Sequence, residues 1–149
     1  MRDSNPPRTP DTDMDIVLAL KPKWLTLIQT GKKTIECRRQ MPKNLNIGDK
    51  VYFYCQGKLH GYGTAYDIHH FQKDDFDELM SLVDVFHHDA CLSVDDMGEY
   101  LWGGTSPGLI FLNHIHSYKE PQSWNYPPPQ NFVYMPDPTA PKHEQLKLL

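Results

Sequence analysis

Hydrophobic residues recur along this chain with two different periods, and the change between them predicts where strands and helices lie. Residues 16–20 form an uninterrupted aliphatic run, as in a short strand buried on both faces. Pro22 suits the first turn of a following helix, and Gly31 is a typical helix stop. The apolar stripe of that helix consists of Trp24, Leu25, Leu27 and Ile28. The pattern therefore predicts a strand, a one-sided helix and a turn at the start of the folded region.

From Thr34 onwards the pattern changes to the alternation of a strand. Ile35 and Cys37 fall on one side, and Glu36 and Arg38 fall on the other. We expect the apolar pair to face the core and the charged pair to point outward.

Three more strands and two more helices are predicted farther along the chain. The strands cover residues 51–54, 59–68 and 108–114, which are rich in β-branched, aromatic and aliphatic residues. A helix over residues 74–86 begins behind two aspartates, which complement the positive end of its dipole. Residues 93–103 begin with the serine-to-aspartate spacing of a helix cap and end in glycine, so we predict a third helix there.

Both ends of the chain are rich in proline and indicate flanking segments. We expect residues 1–13 to be a flexible arm, residues 14–120 to form the domain, and residues 121–149 to be a proline-rich strap and tail. The aromatic residues expected to fasten the strap to the domain are Trp124, Tyr126, Phe132 and Tyr134. About five strands and three helices with few βα alternations predict an α+β fold, a small and mainly antiparallel β-barrel with about three helices packed on it.

Length and cysteine usage favour a cytoplasmic protein. The 149 residues suffice for one domain. No apolar run approaches the roughly 20 residues of a membrane-spanning helix, and the N-terminus lacks the apolar stretch of a secretory leader. Three widely spaced cysteines fit neither a disulfide framework nor a metal knuckle. We therefore expect no membrane partner.

Charge is distributed unevenly along the chain. The net charge is −4, yet residues 21–58 contain nine lysines and arginines against two acidic residues, a local balance of +7. Residues 74–99 contain nine acidic residues and no lysine or arginine. One basic region on an acidic protein is compatible with a phosphate-bearing partner such as RNA.

The basic region contains a family signature. Residues 31–38, Gly-Lys-Lys-Thr-Ile-Glu-Cys-Arg, resemble the GxKxxExR motif of the ASCH domain, a branch of the PUA-like superfamily. Residues 18–30, 47–51 and 100–121 are similar to the family's opening strand and helix, its strand-entry turn and its closing strand. Residues 129–134 resemble a tail of some members. The resemblance implies a PUA-like β-barrel with helices over its openings, a cleft at the motif and an association with RNA.

The motif and nearby aromatic residues are the candidate site. Glu36 can accept from a base amino group, Lys33 can contact phosphate, and Arg38 can present its planar fork to phosphate or a base edge. The alternative is a surface strand whose opposite charges merely pair. The predicted ligand-binding residues are Lys32, Lys33, Glu36, Arg38, Arg39, Tyr100 and Trp102.

Further tyrosines and several histidines are also candidate ligand contacts. Tyr62 and Tyr66 are further candidates to stack a base, with core packing as the alternative for any one ring. Histidine pairs at residues 87–88 and 114–116 form no complete ligand set, so we expect no metal and no cofactor.

We hypothesise that the protein binds RNA, another single-stranded nucleic acid or a nucleotide in a basic cleft. A second hypothesis is a metal-independent hydrolase of a modified nucleoside, or a ribonuclease, with Lys33 and Glu36 as catalytic residues. Relatives that hydrolyse acetylated cytidine carry a threonine, their proposed nucleophile, at the position aligned with Glu36, so that mechanism does not carry over. A third is an adaptor that binds a protein partner through the proline-rich tail or through the acidic face of the helix predicted over residues 74–86.

Overall fold

The computed structural model describes residues 14–72 and 74–136. The predicted N-terminal arm and the last part of the predicted tail lie outside these residues. No helix in the described part of the chain is long and apolar enough to cross a membrane.

Within the described residues, six strands form one curved, mixed sheet in the order β2-β5-β4-β3-β1-β6. The strands are β1 (Ile16–Ala19), β2 (Ile35–Arg38), β3 (Lys50–Cys55), β4 (Lys58–His70), β5 (Gly108–Ser123) and β6 (Phe132–Tyr134). Strands β1 and β3 are parallel, and every other neighbouring pair is antiparallel. The two edge strands, β2 and β6, come from opposite ends of the domain.

The strap is where the strands differ most from the sequence-based expectation. Strand β5 continues to Ser123 instead of ending near His114. Its second half was not predicted because it exposes polar side chains and so lacks an apolar pattern. Strand β6, which pairs with β1, was not predicted. It is three residues long and follows three prolines, so neither length nor alternation distinguishes it from an extended loop.

The part of the chain that the structure describes contains three helices, each where it was predicted: α1 (Pro22–Gln29), α2 (Phe76–Phe86) and α3 (Val94–Trp102). The side chain of Asp75 caps α2 by accepting from the backbone N–H of Glu78, and Ser93 caps α3 by accepting from that of Asp96. Helix α1 ends two residues before Gly31, whose φ of +81° then turns the chain toward β2.

Strand β5 separates two hydrophobic cores, because its side chains alternate between them. Ile110 and Leu112 face the core that contains Ile16, Leu18, Ile28 and Phe53. Leu109 and Phe111 face the core formed with α2 and α3, which contains Leu79, Met97 and Leu101. Both faces of the neighbouring strand β2 are therefore buried. Ile35 and Cys37 face the α2–α3 core, as predicted. The opposite face, which carries Glu36 and Arg38, was expected to be exposed to solvent but is buried.

The β3–β4 hairpin contains two glycines with positive φ in different surroundings. Gly57, at the turn, has φ +85° and open space where a Cβ would lie. Gly61, inside β4, has φ +149°, and a Cβ there would overlap the carbonyl oxygen of His116 on β5. Gly61 thus allows two strands to approach closely, whereas Gly57 serves only the turn.

We predict that Gly61→Ala lowers the free energy of unfolding by about 3 kcal/mol or more, because backbone strain is added to overlap with β5. Gly57→Ala adds strain alone and should cost about 1 kcal/mol. Urea unfolding followed by circular dichroism measures both values. Equal losses in the two variants would contradict the close approach of β4 and β5 at Gly61.

Candidate functional site

A cavity of about 540 Å³ lies where the motif of β2 meets the end of β1 and the helices α1 and α3. Its polar side chains include Lys33, Glu36 and Arg38 from the motif. These three residues are buried, with 3%, 5% and 8% of their surface exposed. Charged residues are rarely buried unless they are paired, so their contacts define the site.

Glu36 holds the two cations together. Its Oε2 atom accepts a hydrogen bond from Nε of Arg38 at 2.8 Å and also contacts Nη2 of the same guanidinium. Its Oε1 atom lies 3.6 Å from Nζ of Lys33, which is an ion-pair distance but longer than a hydrogen bond. Within the described residues, Oε1 therefore keeps capacity to accept a hydrogen bond.

Arg38 is fully engaged by the protein. Nη1 donates to the side-chain oxygen of Asn131 at 2.7 Å and, at 3.4 Å, to its backbone carbonyl. Nη2 donates to the carbonyl of Ala19 at 2.7 Å. With the two contacts to Glu36, all five N–H groups of the guanidinium face protein acceptors. Arg38 thereby fastens edge strand β2 to the end of β1 and to the residue that precedes β6.

Asn131 completes this fastening from the other side. Its side-chain N–H donates to the carbonyl of Gln40 at 3.1 Å, and its backbone carbonyl accepts from the N–H of Ala19 at 2.9 Å. The gap between the two edge strands is thus closed by side chains rather than by a ladder.

Lys33 lies near one carboxylate oxygen of Glu36, and Arg38 contacts the other. The Nζ atom of Lys33 donates to the carbonyl of Ala90 at 2.6 Å and lies 4.8 Å from the centroid of the Trp24 ring. Such a cation–π contact is strengthened by burial. The ammonium has three N–H groups and makes one short hydrogen bond within the described residues, so it keeps donor capacity.

Aromatic side chains surround these polar groups. Trp24 comes from α1, Tyr54 from the end of β3 and Tyr100 from α3. Burial raises the pKa of Tyr100, and the positive charge of Arg38 partly opposes that increase. The phenol therefore stays protonated at neutral pH and can donate a hydrogen bond.

The cavity is less basic than the charge of residues 21–58 suggests. Among the residues that line it, Lys21, Lys33 and Arg38 are positive and Glu36 and Asp96 are negative, which leaves a net charge of +1. The remaining lysines and arginines of the basic region lie outside the lining, and helix α3, which carries Asp95 and Asp96 in its first turn, contributes one wall. The lining thus combines one excess positive charge with a largely apolar and aromatic surface.

The structure brings four of the seven predicted ligand-binding residues together: Lys33, Glu36, Arg38 and Tyr100. The other three lie outside the lining. Lys32 is exposed, Arg39 donates to the carbonyl of Gly103 at 2.7 Å, and Trp102 packs edge-on against Phe76 at 4.9 Å.

Several lining residues were missed by sequence reasoning. Trp24 was predicted only as part of the core stripe of α1. Its position near the start of a helix that follows a buried strand could have indicated a site. Tyr54 was assigned only to a strand, and Asp96 only to a helix cap. Nothing local indicates Asn131, because its role depends on residues about 90 positions earlier.

Hydroxyl and thiol nucleophiles are not prominent here. Thr34 does not line the cavity, and its backbone pairs with Asp89 and Leu112. Burial raises the pKa of the Cys37 thiol to about 12, which makes it a core residue rather than a thiolate nucleophile. Within residues 14–72 and 74–136, no group of three or more His, Cys, Asp or Glu side chains could hold a metal ion.

Comparison with known proteins gives a consistent result. A family model described as "ASCH domain" matches residues 18–125. The crystal structure of ASCH from Zymomonas mobilis superposes with a TM-score of 0.67 at 21% identity, covering 91% of this chain and 94% of that chain. A serine-to-alanine variant of that protein gives 0.67 at 21% identity, covering 92% and 95%. The comparison with curated proteins gave no match. The family model and the two superpositions confirm the predicted fold.

We predict that Arg38→Lys lowers the free energy of unfolding by about 3 kcal/mol, because lysine has no planar fork and leaves buried acceptors unpaired. Arg39→Lys is the matched control: the neighbouring arginine is exposed, and its replacement should cost less than about 0.5 kcal/mol. Thermal and urea unfolding measure the difference. Similar stability of the two variants would show that the contacts of Arg38 do not hold the edge strands together.

Proposed function

Because this chain belongs to the ASCH domain family, which is generally linked to RNA binding, we propose that the cavity binds single-stranded RNA or a nucleotide by accepting one nucleobase. The observation that carries the proposal is the pair formed by Oε1 of Glu36 and Nζ of Lys33. These atoms are 3.6 Å apart and both keep hydrogen-bonding capacity.

An acceptor beside a donor matches the edge of a nucleobase, where donors and acceptors alternate in one plane. Glu36 would accept from an amino or imino N–H group, and Lys33 would donate to a neighbouring ring nitrogen or carbonyl. Arg38 would contribute by holding Oε2 and so fixing the orientation of the carboxylate. Its role differs from direct phosphate contact, because its own donors are used within the protein.

The aromatic lining supports a flat ligand. Tyr54 and Tyr100 offer ring surfaces on which a base can stack, whereas the Trp24 ring is contacted by the ammonium groups of Lys23 and Lys33. The volume of about 540 Å³ lies in the range of small-molecule sites. Lys21 is an exposed cation of the lining and can meet a phosphate in solvent, whereas the buried Lys33 and Arg38 share the carboxylate of Glu36.

We predict that Lys33→Met weakens binding of a mixed-sequence single-stranded RNA at least about 10-fold, because a charged hydrogen bond is lost while the packing of the stem is kept. Lys32→Met removes the same charge from an exposed position outside the cavity and should change affinity less than about 3-fold. Fluorescence anisotropy at several salt concentrations measures both. Equal weakening in the two variants would indicate general charge attraction and contradict recognition in the cavity.

The same pair of groups supports a second candidate, hydrolysis of a modified nucleoside or of RNA. A carboxylate oxygen with free acceptor capacity can act as a general base toward water, and a nearby ammonium can stabilise the negative charge that develops. Since no serine or threonine of the described residues lines the cavity, this route uses water directly rather than a covalent intermediate.

If the protein is such a hydrolase, we expect it to convert acetylated cytidine or a mixed RNA, and Glu36→Gln to lower the rate at least about 100-fold because the general base is removed. Glu99→Gln, an exposed acid-to-amide change on α3, serves as the control and should retain the rate. Product formation is followed by chromatography. Failure of the wild-type protein to convert either substrate would reject this candidate for those substrates and leave the binding proposal to its own test.

A further inference from the structure

We propose that a second surface outside the cavity binds single-stranded RNA, and that the strand continues onto it from the cavity. This inference rests on the proposed function. The surface is the outer aromatic cluster, defined here as Tyr52, Tyr62, His116 and Tyr118 on strands β3, β4 and β5.

The four rings of the outer aromatic cluster form one continuous group. The ring centroid of Tyr62 lies 5.5 Å from that of Tyr52, 5.2 Å from His116 and 6.2 Å from Tyr118. His116 and Tyr118 are 5.8 Å apart. Tyr62 is therefore the centre of the group, and each of the other three rings packs against it.

Strand alternation places the outer aromatic cluster on the face of the sheet opposite the core that contains Ile16, Leu18 and Phe53. On β3, Val51 and Phe53 belong to the core, so Tyr52 points to the other side. His116 is exposed, and the three tyrosines are partly exposed. None of the four rings belongs to the hydrophobic core on the other side of the sheet or packs against it.

A cation accompanies the rings. Nζ of Lys50, an exposed residue, lies 5.0 Å from the centroid of the Tyr62 ring. Lys58, at the start of β4, is also exposed. Aromatic faces that accept unpaired bases, together with lysines that meet phosphates, are the combination that binds single-stranded nucleic acid without strict sequence choice.

The outer aromatic cluster is connected to the cavity through Tyr54. Tyr54 follows Tyr52 by two residues on the same face of β3, about 7 Å farther along the strand, and it lines the cavity. Its ring also meets that of Trp124 edge-on at 6.3 Å. An RNA strand with one base in the cavity can therefore pass Tyr54 and place its following nucleotides on Tyr52 and Tyr62.

The experiment compares a nucleoside monophosphate with a mixed-sequence single-stranded RNA hexamer on the full chain. We expect Tyr62→Ala to weaken hexamer binding about 5-fold or more, as the loss of a stacking surface does in other proteins, and to leave monophosphate binding unchanged. Tyr66, a base-stacking candidate from the sequence, is an exposed tyrosine on the same strand, but it packs against Phe111 and lies outside the cavity lining and the outer aromatic cluster, so Tyr66→Ala is the matched control. It should bind both ligands as the wild-type protein does.

Lys50→Glu tests the same surface without removing a ring, so that an effect of Tyr62→Ala on folding does not decide the result. It should weaken hexamer binding and reduce its salt dependence while monophosphate binding is retained. If both variants bind the hexamer as the wild-type protein does, or if the wild-type protein binds no hexamer, the inference is overturned.

The outcomes separate this inference from the proposed function. Loss of both ligands in Lys33→Met, with no effect of Tyr62→Ala or Lys50→Glu, would support the cavity and reject the outer aromatic cluster. Loss of the hexamer in Tyr62→Ala and Lys50→Glu, with no effect of Lys33→Met on either ligand, would support the cluster as an RNA surface and reject the cavity.

Discussion

The buried ion triplet of Lys33, Glu36 and Arg38 is the interaction on which the site depends. Removing three charges from water costs several kcal/mol for each ion, and mutual attraction offsets this cost only when the remaining donors and acceptors are also satisfied. Arg38 meets that condition through Asn131 and the carbonyl of Ala19, and Lys33 meets it in part through the carbonyl of Ala90. The triplet therefore fixes where β1, β2 and the segment before β6 lie relative to one another.

Within the triplet the two cations have different tasks. The guanidinium is planar and rigid, and every N–H group it has is directed at the protein, so it supports the architecture and orients the carboxylate. The ammonium of Lys33 makes fewer bonds and lies beside the open oxygen of Glu36. One carboxylate thus divides its oxygen atoms between a structural contact and the cavity, so a buried charge cluster keeps hydrogen-bonding capacity on its cavity side.

Much of this arrangement follows from the sequence, for reasons that are local. Alternation in β2 separates Ile35 and Cys37 from Glu36 and Arg38, and the resemblance in residues 31–38 groups the charged residues at a cleft. Whether the face with Glu36 and Arg38 meets bulk water or a cavity cannot be predicted from β2 alone, because it depends on α1, α3 and the strap. Asn131 and Tyr54 escaped prediction for the same reason, since each becomes important only through partners distant in sequence. Strand β6 adds a further case, in which a three-residue segment after prolines becomes a strand because β1 offers it an edge.

The bond between Arg38 and Asn131 joins residues 93 positions apart, and it has a consequence for the order in which the domain is assembled. During synthesis the motif of β2 leaves the ribosome long before Asn131 does. Until then, the donors of Arg38 that Asn131 will engage must be satisfied by water, and the edge strands remain unfastened. Long-range contacts of this kind form late because loop closure precedes any gain from them. A nascent chain can thus pair β1 to β5 and bury most of both cores while β6 is absent and Arg38 lacks Asn131, so the cavity is complete only when the strap has docked.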